Sequence, residues 1–316
     1  MSKKSITIIG PTASGKSDMA ISVAKKFNGE IISADSRQIH RYLDIGTGKE
    51  PGKITSNSSR GKYTRLAYIS GNIPHYMIDI IQPNTVYNVA KFVKKAKNIR
   101  ADIWQRNKLP IIVGGTMFWA QSLLEEVTFS SVKPNPTLRV KLRNETPQEL
   151  FRQLQKIDPS FAKKIDRNNP VRLIRAIEIA TELGAVPKSK STKINPNENL
   201  IIAISHTREV LFDRIEKRMD KWFNDGIFEE IKNAHCKLNV PWTRLESFGL
   251  EYKWCTRYVR GQISFDEMRT NTIRDLKGYA KRQETWIRRW ERQGAEIHRV
   301  KKTSEVAKLC KDFLHK

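Results

Sequence analysis

Residues Gly10 to Ser17 read GPTASGKS, and this run decides how the rest of the chain is read. Before it stands Ile6-Thr7-Ile8-Ile9, apolar and β-branched, which predicts a buried strand. After it, residues 18–26 (DMAISVAKK) carry helical periodicity. The run therefore lies on a strand-to-helix turn, the setting of a phosphate loop. Gly10 and Gly15 let the backbone bend so that its N–H groups point inward. Those groups and the positive end of the following helix cradle phosphate oxygens. Gly10, Pro11, Thr12, Ala13, Ser14, Gly15, Lys16 and Ser17 are thus the expected diphosphate- or nucleotide-binding residues. Lys16 adds a point charge, and the Ser17 hydroxyl can coordinate Mg²⁺.

A phosphate loop announces a polyphosphate without saying which. Nucleotide hydrolysis usually also needs an acidic, metal-holding residue at the end of another strand. The best candidate strand, Pro110-Ile111-Ile112-Val113, ends in Gly114-Gly115-Thr116 with no carboxylate. That counts against an ATPase or GTPase. It leaves kinases and other transferases that use a diphosphate or triphosphate differently.

The chain has 316 residues, room for one large domain or two modest ones, and 39% hydrophobic content, enough for a core. Its 58 Lys and Arg outnumber 33 Asp and Glu, a net charge of +25. Such an excess favours a polyanionic partner, nucleic acid first and an anionic membrane second, unless it serves solubility alone. No run of about 18 apolar residues is present, so no membrane span is expected. The first strand begins within a few residues of the start, which leaves no room for a signal peptide. Cys236, Cys255 and Cys310 form no CxxC pair and no zinc spacing. A reduced, cytoplasmic protein is expected.

Along the chain, Glu30-Ile31-Ile32-Ser33 predicts the next strand, ending at Ala34-Asp35-Ser36-Arg37-Gln38. In an open parallel sheet ligands sit beyond the carboxyl ends of the strands. Asp35 there is either a proton acceptor for a nucleophile near the phosphates or a helix N-cap. Residues 44–49 (DIGTGK) form a glycine-rich loop, and the polar stretch from Glu50 to about Arg65 reads as a flexible surface insertion. Residues 89–104 and 117–126 carry helical patterns, the second opening on Thr116, where N–H groups and a hydroxyl can meet an anion. From about Pro134 to Asn199 no strand is predicted. Helices at 137–144, 148–157 and 170–183, rich in Lys and Arg, read as a helical insertion with part of the basic face.

Residues 200–204 (LIIAI) predict a returning strand. The amphipathic helix 209–224 holds Arg214 and Arg218 one turn apart, either a diphosphate clamp or a solvated basic face. Residues 243–252 (TRLESFGLEY) read as a loop entering a helix. A long helix over about 264–290 mixes Arg and Lys with Tyr279, Trp286 and Trp290. That mixture suits a single-stranded RNA loop, or an amphipathic helix with its aromatics in the core.

Taken in order, GPTASGKS, SADSRQ, DIGTGK, PHYMIDIIQP, IVGGT, RLIRAIE, RIEKR and YAKRQETWIRR resemble the tRNA dimethylallyltransferases, also called tRNA isopentenyl transferases, over nearly the whole chain. The resemblance implies an α/β fold: a P-loop NTPase-like parallel sheet flanked by helices, with a helical insertion domain. The expected division is a catalytic core at 1–133 and 200–316 around an insertion at 134–199. The implied reaction is attack of adenosine N6, 3′-adjacent to the anticodon, on C1 of dimethylallyl diphosphate, with diphosphate leaving. It implies Lys16, Thr116 and Arg218 at the diphosphate, with Arg214 a lesser contact, and Mg²⁺ on Ser17. Asp35 would hold and deprotonate the amine. The tRNA would meet Asp35, Ser36, Arg37, Gln38 and Thr116 at the flipped base. It would meet Arg139, Val171, Arg172, Leu173, Ile174 and Arg175 on the insertion, and Arg244, Phe248 and Gly249 on the segment to Tyr252.

The chain departs from the family in places. Val171 stands where Gln is usual, ESFGLEY replaces a pattern with glycine, tyrosine and a basic residue, and residues 50–65 have no assigned counterpart. Without a zinc-finger extension it resembles the compact bacterial form, expected to act as a monomer on tRNA and dimethylallyl diphosphate, away from membranes. Competing readings are a phosphate-loop kinase of small molecules, a nonenzymatic RNA binder, and a transferase that prenylates free AMP. The basic helices argue against the first and third. Asp35 and Thr116 around a complete phosphate loop argue against the second.

Overall fold

The computed structural model describes residues 3–315. In chain order the strands are β1 (Ser5–Ile9), β2 (Gly29–Ser33), β3 (Lys53–Ser56), β4 (Leu66–Ser70), β5 (Ile73–Tyr76), β6 (Leu109–Gly114), β7 (Asn199–Ile204) and β8 (Ile297–Val300). The helices of the first half are α1 (Lys16–Lys26), α2 (Val89–Gln105), α3 (Met117–Leu124), α4 (Pro136–Leu142), α5 (Pro147–Ile157), α6 (Pro159–Ala162) and α7 (Pro170–Leu183). Those that follow are α8 (Arg208–Asp225), α9 (Ile227–Cys236), α10 (Trp242–Ser247), α11 (Leu250–Val259), α12 (Phe265–Arg292) and α13 (Thr303–His315).

Two units are distinct, Met1–Glu126 with Lys193–Lys316, and Val127–Thr192. In the first, one sheet runs β3-β4-β5-β2-β6-β1-β7-β8. From β5 to β8 every pairing is parallel, and β3 and β4 are antiparallel at one edge. β1 is central, paired with β6 and β7, and all five of its side chains are buried. Burial on both faces explains why even its polar positions, Ser5 and Thr7, carry small side chains that are wholly enclosed. A core of Ile6, Ile8, Val23, Ile31, Ile111 and Ile202 lies between the sheet and α1. A second core gathers Met219, Trp222, Ile231, Tyr252, Met268 and Leu276 from α8, α9, α11 and α12.

The expected flexible insertion at 50–65 is corrected by β3, which pairs with β4 over Lys53–Ser56. Local hydrogen bonds explain its order. Tyr68 donates to Glu50 O at 2.8 Å, Ser70 to Pro51 O at 2.8 Å, and the Asp102 carboxylate accepts the Thr64 hydroxyl at 2.7 Å and the Tyr63 N–H at 3.1 Å. The segment read as a loop before residue 252 is likewise the short helix α10 followed by α11.

The unit 127–192 is helical throughout its regular elements, around Leu142, Leu150, Leu154, Leu173, Ile174 and Ile177. Its helices start on side-chain caps: Asn135, Thr146 with a capping box to Glu149, Asp158 and Asn169, each followed by proline. The edges differ from the expected 134 and 199. Thr128 N–H donates to Lys190 O at 2.9 Å, which joins 127–133 to this unit, while Ser5 N–H donates to Glu198 O at 2.8 Å, which joins 193–198 to the sheet.

Candidate active site

The phosphate loop leaves β1 and ends on Gly15, whose φ of 86° is a left-handed conformation that a side chain would strain. Ala13 also has a positive φ, 60°. The loop closes on itself through Lys16 Nζ, which donates to Pro11 O at 2.6 Å, and the first turn of α1 points its free N–H groups at the enclosed space. A cavity of about 740 Å³ opens there, lined by Gly15, Lys16, Ser17, Arg214, Arg218 and Trp222 among others. A smaller one of about 70 Å³ brings Lys16, Ser17, Asp35, Arg37, Gln38 and Arg218 together with Gln283.

Thus the structure unites Lys16, Ser17, Asp35, Arg37, Gln38 and Arg218, which are far apart in sequence. Crowding draws the Lys16 ammonium down to a pKa of about 8; burial is the main cause, Arg218 adds to it, and Asp35 opposes it. Burial also lowers the Arg218 guanidinium. Its ring partner is Trp222, 5.0 Å from centroid to guanidinium carbon. Gly48 of the DIGTGK loop has φ 60°, which favours glycine, and a Cβ there would push on the Arg218 guanidinium. That loop is held by the Glu230 carboxylate, which accepts N–H groups of Asp44 at 2.6 Å, Ile45 at 2.7 Å and Gly46 at 3.3 Å. Arg214 is exposed and approaches His206 Nε2 at 3.0 Å.

Both readings of Asp35 have a physical basis. Its Oδ1 accepts the N–H of Arg37 at 2.9 Å and of Gln38 at 3.4 Å, which is a turn cap. Its other oxygen is turned toward Gly115. Thr116 does not cap α3 with its side chain. Its Oγ1 accepts the Ser36 N–H at 3.0 Å and lies 3.2 Å from Ser36 Oγ, so it ties the ends of β2 and β6 together.

Two groups come from α12: Gln283, which sequence reasoning left without a role, and Tyr279, which it offered either to an RNA loop or to the core. Buried Gln283 accepts the Thr12 N–H at 2.7 Å and donates to Gly115 O at 2.7 Å. Tyr279, pushed up to about 12 by burial and so a neutral donor, reaches the same carbonyl at 3.2 Å. A Cβ on Gly115 would lie 2.6 Å from Gln283 Nε2, so that position has no room for a side chain. The i, i+4 spacing of Tyr279 and Gln283 was the available signal, since it sets both on one helix face.

The oxygen donors around Ser17 suit a hard cation. Glu50 hydrogen-bonds Ser17 and feels Asp18, and all three line the larger cavity. Among the described residues no group of three or more His, Cys, Asp or Glu could hold a metal unaided. A few protein oxygens completed by phosphate oxygens and water is the habit of Mg²⁺.

The RNA-side expectations divide. Arg172 and Val171 are exposed, Val171 at 77%. Leu173 and Ile174 are corrected: both are packed in the core of unit 127–192, because α7 turns that face inward, and their side chains have no surface to offer. Arg139 and Arg175 both bind buried Glu178, Arg139 through two bonds of 2.7 Å and Arg175 at 3.2 Å. Arg244 donates to Pro83 O at 2.9 Å and covers the Phe248 ring at 4.5 Å, and Gly249 caps α11 with φ 71°.

A family model described as IPP transferase matches residues 38–290. A tRNA dimethylallyltransferase of Thermoanaerobacter sp. (strain X514) is 37% identical over 297 residues, 90% of this chain and 89% of that one. One from Alkaliphilus oremlandii (strain OhILAs) is 39% identical over 298 residues, 92% and 90% of the two chains. Among solved structures, the full-length tRNA isopentenylpyrophosphate transferase of Bacillus halodurans is similar with a TM-score of 0.67 at 28% identity, over 99% of this chain and 97% of that one. A eukaryotic dimethylallyltransferase acting on tRNA gives a TM-score of 0.71 at 26% identity, over 90% and 70% of the two chains.

Proposed function

This chain belongs to the tRNA dimethylallyltransferase family, and on that premise we propose that it moves a dimethylallyl group from dimethylallyl diphosphate to N6 of the adenosine 3′-adjacent to the anticodon in tRNA. The observation that carries the reading is one cavity in which Lys16 and Arg218 meet Asp35 beside a complete phosphate loop. In this reading the loop amides, Lys16 and Arg218 bind the diphosphate and stabilise the negative charge that grows on it as it leaves. The N6 lone pair forms the bond to C1 while the C1–O bond breaks and its electrons depart with the diphosphate. The N6 proton passes to the free oxygen of Asp35, whose other oxygen is occupied by the turn. An arylamine is a weak nucleophile, so holding the base against C1 supplies much of the acceleration. The base must leave its stack to reach this depth.

Ser17 and Glu50 would hold Mg²⁺, which when bound supplies positive charge to the leaving diphosphate. Gln283 ties the phosphate loop to Gly115, whose carbonyl Tyr279 also holds, so that the loop amides keep their aim. Arg172 and neighbouring cations of unit 127–192, with Arg244 and Phe248, would meet tRNA. No helix among the described residues is long and apolar enough to cross a membrane. We place the enzyme in the cytoplasm, acting as a monomer.

The test is incubation with labelled dimethylallyl diphosphate and two acceptors, unmodified tRNA and AMP. Label in tRNA, released by digestion as N6-dimethylallyladenosine from the position after the anticodon, is expected. Label in AMP with none in tRNA, or transfer of an ATP phosphoryl group to a small molecule with RNA untouched, would overturn the proposal.

A further inference from the structure

Glu251, in the first turn of α11, is wholly buried and lines neither cavity, so it cannot touch a substrate there. Its Oε1 accepts from the Arg37 guanidinium, and its Oε2 has no hydrogen-bond partner. A buried carboxylate so placed is stabilised by neighbouring cations or not at all. Burial pushes the Glu251 carboxyl up, and two cations oppose that and favour its charged form: Arg37 in direct contact and Arg218 at longer range. Arg37 is therefore gripped at both ends, its N–H by Asp35 Oδ1 at 2.9 Å and its guanidinium by Glu251. It also lines the small cavity beside Lys16, Ser17 and Arg218. Three cations thus line that cavity, with Asp35 the only carboxylate among its lining residues. Tyr252, Tyr279 and Cys255, the other titratable groups that feel Glu251, are held neutral by burial, and Glu50 also bears on Arg218.

We propose that Glu251 is a positioning residue that divides these cations, holding Arg37 back from the diphosphate to brace the Asp35 turn and leaving Lys16 and Arg218 to the leaving group. The proposal rests on the prenyl-transfer reading of the same cleft. Its consequence has a sign that a merely structural role would not produce. Without the Glu251 charge, Arg37 is free to join the anion site. Diphosphate then binds more tightly while Asp35 loses its brace and transfer slows.

The experiment titrates inorganic diphosphate with Mg²⁺ into the full chain by calorimetry, and follows transfer to tRNA at saturating substrates. Glu251→Gln keeps the shape and removes the charge. We expect about fivefold tighter diphosphate binding and about tenfold lower kcat. Arg37→Gln, which leaves Glu251 to bear on Arg218 alone, is expected to bind diphosphate more weakly than the native chain. The double variant removes one charge of each sign, and its diphosphate affinity should return to within about twofold of the native value. Weaker or unchanged binding in Glu251→Gln would overturn the proposal. So would a double variant that keeps the tighter binding of Glu251→Gln, since the gain must come from Arg37. If Glu251→Gln fails to fold, the decision falls to Arg37→Gln, where tighter or unchanged binding overturns the proposal. A native chain that binds diphosphate but never prenylates tRNA would overturn the function and leave the division of cations to be decided by the binding arm.

Discussion

Arg139 and Arg175, in unit 127–192, both spend their guanidinium groups on the buried Glu178 carboxylate, whereas Arg218, at the phosphate loop, makes no hydrogen bond or ion pair with the described residues and rests on the Trp222 ring. The three are arginines on helices of a strongly basic chain, and they are not equivalent. A cation with a built-in carboxylate partner has its charge largely cancelled, and its chief work is to hold helices together. A cation without one carries a desolvation cost that only a ligand relieves, and burial accordingly lowers the Arg218 guanidinium. Net charge therefore says that an anion is wanted. Partnering says where.

The sharpest test on the cleft side is Asp35→Ala. Transfer to tRNA should fall by about 10³-fold while tRNA affinity in a filter-binding assay stays within about twofold. Retained activity would remove Asp35 from the chemistry. Next, Arg218→Ala should lower kcat/KM for dimethylallyl diphosphate by about 10²-fold, and Arg139→Ala should leave it nearly unchanged. Equal losses would erase the contrast between free and partnered arginines. On the other side, Glu178→Ala strands two arginines and should destabilise unit 127–192 by about 3 kcal/mol, read from denaturant midpoints. A neutral result would show that the triad holds nothing together.

A smaller effect follows from Lys16. Its pKa of about 8 lies below the ordinary 10.5, so the empty site loses its charge as pH rises through 8. Diphosphate affinity should then fall by up to about tenfold per pH unit. Fold stability should move the other way: between 8 and 10.5 the unfolded chain holds more of this proton than the folded one, so this group's contribution rises with pH. Affinity that is flat from pH 7 to 10 would mean that Lys16 is not a principal contact. Smallest of all, Arg172→Ala should reduce the salt slope of tRNA binding by about one. An unchanged slope would assign exposed Arg172 to the solvent.

Much of the catalytic region was legible because the signals were local. A β-branched run, two glycines, Lys16 and Ser17 within a dozen residues specify a strand, a turn and a helix start without help from elsewhere. The helices of unit 127–192 were legible too, since Asn135, Thr146 and Asn169 cap them and prolines follow. The stretch 50–65 misled because it is polar and nearly without apolar alternation. Its order comes from an edge pairing with β4 and from Asp102, both distant in sequence. Leu173 and Ile174 were assigned to RNA by their place in a motif, and the inward face of α7 claimed them for the core.

By itself, then, the order of residues determined that a phosphate-loop turn joins β1 to α1, that the sheet is mainly parallel and that a basic helical segment interrupts it. Each of these depends on spacing over a few residues. Only the tertiary structure decided which cations remain unpaired, that Gln283 ties the phosphate loop to Gly115, and that Glu251 pairs with Arg37. The reason is electrostatic: an ion pair's worth depends on what lies within a few ångströms and on how little water reaches it, and neither is written in the neighbouring residues of the chain.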